Sequence, residues 1–173
     1  MTAAAGSNVT LIGMPGSGKS TIGVVLAKRM NLQFVDTDLI IQTTQQRTLQ
    51  QIMDADGFDK FCQIEESAVL TLDVEKHVIA TGGSVCYGPD GMAHLKSLGK
   101  VVFLKTSLQT LEKRLSNMAT RGIALKPGQT LEGLFHERNA LYTQYADLTI
   151  DCDGLNVERI SEQIEAGLAP PST

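Results

Sequence analysis

The chain has 173 residues, 42% of them hydrophobic and 20% charged, with a formal net charge of −4. That length suits one domain, residues 1–173, with a substantial core, and the composition excludes a disordered chain. The acidic balance argues against a nucleic-acid-binding surface.

Taken in order, Asn8 to Ile12 reads as a short buried strand and Thr21 to Met30 as a helix. Between them stands Gly13-Met14-Pro15-Gly16-Ser17-Gly18-Lys19-Ser20-Thr21, which matches the phosphate-binding pattern G-x-x-x-x-G-K-[ST]. Glycines at these positions let backbone N–H groups converge on phosphate oxygens, and the helix N-terminus adds its partial positive charge. In this pattern Lys19 reaches the β- and γ-phosphates and the Ser20 hydroxyl ligates Mg²⁺.

Gln33 to Val35 is a second strand, ending in Asp36-Thr37-Asp38, and a helix follows from about Leu39 to Gln46. Thr48 to Ala55 is a short helix that Gly57 breaks, and Phe58 to Leu72 is a longer one with Phe61, Ile64, Ala68 and Leu72 on one face. His77 to Ala80 is a third strand, running into Thr81-Gly82-Gly83-Ser84. Pro89 to Leu98 reads as a helix. Val101 to Leu104 is a fourth strand, a continuous apolar run of the kind a buried parallel sheet needs. Ser107 can cap a helix from Leu108 to Met118. The polar stretch Ala119 to Gln129, with Gly122, Pro127 and Gly128, reads as a mobile loop. Thr130 caps a helix to about Tyr145, Leu148 to Ile150 is the last strand, and Val157 to Gly167 the last helix.

Strands alternating with helices imply right-handed crossovers and a parallel sheet between two helical layers, an α/β fold. Ligands then bind beyond the carboxyl ends of the strands. Three polar clusters fall at such ends: Gly13 to Ser20, Asp36 to Asp38, and Thr81 to Ser84. No secretory leader is expected, because the opening residues have neither a basic start nor a long apolar run. No apolar run reaches the length of a membrane span. Cys62, Cys86 and Cys152 are odd in number and lack C-x-x-C spacing, which fits a reducing cytoplasm better than a disulfide framework.

These landmarks resemble the shikimate kinase family, within the small P-loop kinases of the nucleoside-monophosphate-kinase type. The resemblance runs from about Asn8 to Asp151. It rests on Gly13 to Thr21, Asp36-Thr37-Asp38, Gly57-x-x-x-Phe61-x-x-x-Glu65, Thr81-Gly82-Gly83, Arg121, and Arg138-x-x-Leu141-Tyr142 followed by Ala146-Asp147. It implies a P-loop three-layer sandwich with a five-stranded parallel sheet and a mobile lid at about residues 119–129. It also implies a monomeric, cytoplasmic enzyme that moves the γ-phosphate of ATP·Mg²⁺ to a hydroxyl of a small carboxylated polyol. Carried over, the ATP site comprises Gly13, Pro15, Gly16, Ser17, Gly18, Lys19, Ser20 and Thr21, with Arg114 near the adenine. Ser20 and Asp36 attend Mg²⁺. Asp38 binds the acceptor hydroxyls and takes the proton, while Glu65, Gly82, Gly83 and Arg138 belong to the acceptor site. Arg121 is the lid cation that closes over the transferring phosphoryl. Such roles suit phosphoryl transfer, which is mostly positioning and charge neutralisation.

The departures fall in the acceptor half. The family pattern after Gly57 runs Glu-x-x-Phe-Arg-x-x-Glu; here Phe58 replaces the first Glu and Cys62 the Arg, a second clamp for the substrate carboxylate. Glu65 is thereby expected to lose its partner. Ser84 stands for the third glycine of the Gly-Gly-Gly turn, and Arg121-Gly122-Ile123-Ala124 stands for Arg-Pro-Leu-Leu. Plainer readings exist beside these roles. Asp38 could cap the helix after it, Arg121 could be a solvated loop cation, and Arg138 could pair with Glu132 or Glu137 on a helix surface. His77, His94 and His136 lack metal-ligand spacing and read as structural, and Tyr142 and Tyr145 read as packing. Two other functions compete: a kinase for a different polyol or sugar acid, which the lost Arg at Cys62 supports, and a nucleotide-binding protein without turnover, which intact Asp38 and Arg121 oppose.

Overall fold

The computed structural model describes residues 7–116, 123 and 125–170. Five strands, β1 (Asn8–Ile12), β2 (Gln33–Asp36), β3 (His77–Ala80), β4 (Gly99–Lys105) and β5 (Leu148–Asp151), form one sheet in the order β2-β3-β1-β4-β5, with every pairing parallel. The helices are α1 (Lys19–Met30), α2 (Thr37–Gln45), α3 (Leu49–Leu70), α4 (Pro89–Leu98), α5 (Leu108–Ser116), α6 (Leu131–Tyr145) and α7 (Val157–Leu168), with a 3-10 turn at Val85–Tyr87. The expected α/β sandwich with five parallel strands is present.

Alternate strand residues feed two cores, because side chains switch faces at each step. Val9, Leu11, Val78, Val102 and Leu104 pack against Ile22 and Leu26 of α1 and Ile160 and Ile164 of α7. Ile12, Ile79, Val101 and Phe103 pack the other way, against Val69, Met92, Leu95, Leu134 and Tyr142. Burial on both faces is why the strands read as unbroken apolar runs. A third, small cluster of Ile41, Ile52 and Phe61 joins α2 to α3.

Most boundaries fall where the sequence puts them, and the exceptions have local causes. Helix α2 starts at Thr37, because the Asp36 carboxylate accepts from Asp38 N at 2.9 Å and caps the helix two residues early. Helix α3 joins the two expected helices across Gly57, whose φ of +81° and ψ of 175° break the helical path. Its start carries a capping box between Thr48 and Gln51. Strand β4 is longer than its apolar core, since Gly99 pairs with Asn8 and Lys105 with Asp151. The 3-10 turn is too short to leave a periodic signal. Residues 117–122 and 124, which hold Arg121 and much of the expected lid, lie outside the described residues. Among those described, no helix is long and apolar enough to cross a membrane.

Candidate active site

Register brings the three polar clusters together. Leu11 pairs with Ala80, and Ala80 with Asp36, so β1, β3 and β2 end side by side. The loops after them line one cleft of about 500 Å³.

One wall is the phosphate loop. Gly13, Gly16 and Gly18 have φ of +151°, +82° and +91°, which L side chains rarely adopt, and a Cβ at Gly13 would lie 2.8 Å from the Leu104 carbonyl. Pro15, Gly16, Gly18, Lys19, Ser20 and Thr21 line the cleft, whereas Gly13 and Ser17 are buried and shape the loop from beneath. The Lys19 ammonium donates to the carbonyls of Gly13 at 2.7 Å and Met14 at 2.9 Å, folding back over its own loop. Burial lowers its pKa to about 8, with Arg138 adding to the fall and Asp38, Glu65 and Asp36 opposing it. The Ser20 hydroxyl donates to Asp36 Oδ2 at 2.6 Å. Arg114 donates to the Gly16 carbonyl at 2.9 Å, bracing the loop from α5.

Asp38, Glu65, Gly82, Gly83 and Arg138 all line the same cleft. Asp36 caps α2, accepting from Asp38 N, and Asp38 sits in the first turn of that helix, so the capping alternative for Asp38 falls. Arg138 has no exposed surface, which overturns the reading of a surface ion pair on α6. Its Nε donates to the Tyr87 hydroxyl at 3.4 Å, and its guanidinium lies 5.3 Å from the centre of the Tyr87 ring. Glu137 instead accepts from Tyr87 at 2.7 Å and pairs with Lys126 at 3.5 Å. The Tyr142 hydroxyl donates to the Gly83 carbonyl and fixes the Gly82-Gly83 turn, a role beyond packing.

Glu65 does not stand without a partner. The Ser84 hydroxyl donates to its Oε2, which corrects the expectation from Cys62. Burial pushes the Glu65 carboxyl up to about 7; Asp38 pushes it further, while Ser84, Arg138 and Lys19 pull it down. Cys62 is half-buried nearby, and burial together with Glu65 raises its thiol to about 11, so it stays neutral. The cleft also uses residues the sequence did not mark as functional: Leu39, Gln42, Thr48, Leu49 and Gln50 line it, and Tyr87 supports Arg138 from behind. Ser84, which also lines the cleft, was visible as the end of the polar cluster Thr81 to Ser84 and as a departure from glycine, whereas Tyr87 left no signal.

A cleft with a phosphate loop at one end, and two carboxyls, bare glycine backbone and a guanidinium at the other, can hold a nucleotide against a hydroxylated anion. The shikimate kinase family model matches residues 15–169. A shikimate kinase from Paracidovorax citrulli is 35% identical over 95% of this chain and 96% of its own, and one from Sulfurihydrogenibium sp. is 33% identical over 91% and 95%. Among solved structures, shikimate kinase from Acinetobacter baumannii in complex with shikimate matches with a TM-score of 0.85 at 27% identity, covering 92% of this chain and 91% of the other. With its cleft built on the expected motifs and relatives matched over almost their whole length, this chain belongs to the shikimate kinase family of ATP-dependent kinases.

Proposed function

We propose that this protein transfers the γ-phosphoryl group of ATP to a hydroxyl of shikimate, giving shikimate 3-phosphate and ADP. The observation that carries it is the single cleft joining Lys19 and Ser20 to Asp38, Gly82, Gly83 and Arg138. The Acinetobacter baumannii relative with shikimate bound supports the choice of acceptor.

The loop N–H groups hold the phosphates, and Lys19 exchanges its carbonyl partners for phosphate oxygens. Ser20 and Asp36, two hard oxygen donors 2.6 Å apart, would hold Mg²⁺. That ion is bound through one or two protein oxygens plus phosphates and water, so it needs no dense ligand cluster, and among the described residues there is none. When bound, it supplies charge neutralisation at the phosphate oxygens. Asp38 accepts the acceptor's proton as that oxygen bonds to phosphorus and the bond to the ADP oxygen breaks. Gly82 and Gly83 offer N–H groups, and Arg138 takes the carboxylate. Arg114 serves the nucleotide end. Arg121, outside the described residues, is assigned to the transferring phosphoryl by the family resemblance. Both substrates are small and soluble, which suits a cytoplasmic monomer with three free cysteines.

The test is ADP release from ATP, Mg²⁺ and shikimate by the purified protein. Lys19→Ala should lower the rate by about 10²-fold or more while leaving the circular dichroism spectrum unchanged. Normal turnover by that variant would overturn the assignment of the loop. A second reading, a kinase for a less acidic polyol, is favoured by one observation: among the described residues the acceptor end sets two carboxyls, Asp38 and Glu65, against one guanidinium, Arg138. Turnover of neutral polyols but not shikimate would select it.

A further inference from the structure

The stretch that leads into α6 is tied to the acceptor end by contacts outside the cleft itself. Lys126 and Gln129 close a turn on each other: the Gln129 N–H donates to the Lys126 carbonyl at 3.0 Å, and the Lys126 N–H donates to Gln129 Oε1 at 3.3 Å. From that turn the Lys126 ammonium reaches two rings, 5.5 Å from the centre of Phe58 on α3 and 5.4 Å from that of Tyr87. The two rings meet edge to face with centres 5.6 Å apart. Glu137 closes the group: it accepts from Tyr87 at 2.7 Å and from Gln129 at 3.0 Å, and stands 3.5 Å from Lys126. Its chain neighbour Arg138 lines the cleft and uses the same tyrosine, through the hydroxyl at 3.4 Å and the ring at 5.3 Å. Burial pushes the Tyr87 phenol up to about 12, with Glu137 adding to the rise. Tyr87 therefore keeps its proton and can donate to Glu137 while accepting from Arg138. Phe58 and Cys62 are the two departures on α3, one turn apart. The helix that lacks one arginine clamp thus adds an aromatic contact behind the arginine that remains.

We infer that Lys126 is a positioning residue for the acceptor site: with Phe58 and Glu137 it fixes Tyr87, and Tyr87 holds the Arg138 guanidinium in the orientation that receives the acceptor's carboxylate. Lys126 does not itself line the cleft. A surface ion pair alone contributes little, but an ammonium set against two rings adds a cation–π attraction to each. The gain at the site is preorganisation. An arginine already held in one rotamer gives up less freedom on binding than one that must find its ligand. This role rests on the kinase reading above and adds to it a residue that tunes affinity for the acid group from outside the cleft.

The test compares shikimate with methyl shikimate, which keeps the hydroxyls and loses the carboxylate charge. Steady-state kinetics are run on the unmodified protein, Lys126→Met and Lys126→Arg. Lys126→Met should raise KM for shikimate about two- to fivefold, with kcat and KM for ATP unchanged. KM for methyl shikimate should not move, because Arg138 has no carboxylate to meet there. Lys126→Arg, which keeps the charge and stacks on rings, should restore KM for shikimate. In a Tyr87→Leu background Lys126→Met should add nothing, since the ring that transmits its effect is gone. A purely structural Lys126 would raise KM for both acceptors alike. That result, an unchanged KM for shikimate, or an equal cost in the Tyr87→Leu background would overturn the inference and leave the kinase reading standing. If the unmodified protein phosphorylates no carboxylated acceptor, the kinase reading fails and this role with it.

Discussion

Glu65→Gln should stabilise this protein, and only above about pH 5. The carboxyl is faced by Lys19 from α1, Asp38 from α2, Cys62 on its own helix α3, Ser84 before the 3-10 turn, and Arg138 from α6. Their sum leaves burial in command and carries the carboxyl from 4.5 up to about 7 in the folded chain. A carboxyl whose pKa is raised by folding favours the native state only while protonated. Below pH 4.5 both states hold the proton and nothing is lost. Between about 4.5 and 7 the unfolded chain ionises first, and native stability drains away; above that window the loss is complete. At about 1.4 kcal/mol per pH unit, the loss is roughly 3 kcal/mol. Glutamine has the same shape, still accepts from Ser84, and can donate across Gly82 to Asp38, yet never ionises. The variant and the unmodified protein should therefore unfold alike near pH 4.5. At pH 8 the variant's Tm should lie roughly 5–10 °C higher. Thermal and urea unfolding at the two pH values give the answer. An equal gap at both, or a less stable variant at pH 8, would refute the argument that burial governs this carboxyl. A gain would also mean that the site gives up stability to keep an ionisable group in the cleft.

Three further outcomes follow from the same geometry. Asp38→Asn should keep nucleotide affinity while lowering kcat by about 10²-fold or more; equal loss of ATP binding, read by nucleotide titration, would move Asp38 to the metal site. Cys62→Arg should place a guanidinium beside Glu65 and lower the shikimate dissociation constant about ten- to hundredfold, since a charge-assisted hydrogen bond is worth roughly 1.5–3 kcal/mol. Unchanged calorimetric affinity would show that Cys62 is only a packed side chain. Tyr87→Phe keeps the ring over Arg138 and its edge contact with Phe58 but removes the hydroxyl that ties Arg138 to Glu137. It should raise KM for the acceptor several-fold with KM for ATP unchanged; a proportional change in both would instead indicate a general loss of packing.

The sequence by itself determined the phosphate loop and the layout around it. Glycines at 13, 16 and 18 with Lys19 and Ser20 between a strand and a helix need no tertiary information, because the loop's conformation is local. The five strands were equally legible: burial on both faces forces apolar runs, and their alternation with helices fixes parallel pairing. Asp36 and Asp38 could be placed at the site because a strand end points there, but which of them caps α2 depends on a hydrogen bond that only coordinates reveal. The contacts among the residues at the acceptor end were decided by tertiary structure. Arg138 lies in the helix that ends at Tyr145, and nothing in that stretch says it is buried. It becomes so because α6 packs over the turn that carries Tyr87. Ser84 and Glu65 are 19 positions apart and meet only when β3 delivers its turn onto α3. Periodicity records which face of a helix is apolar, whereas the polar atoms that meet inside a cleft are set by how elements dock, and that is written in no single stretch of chain.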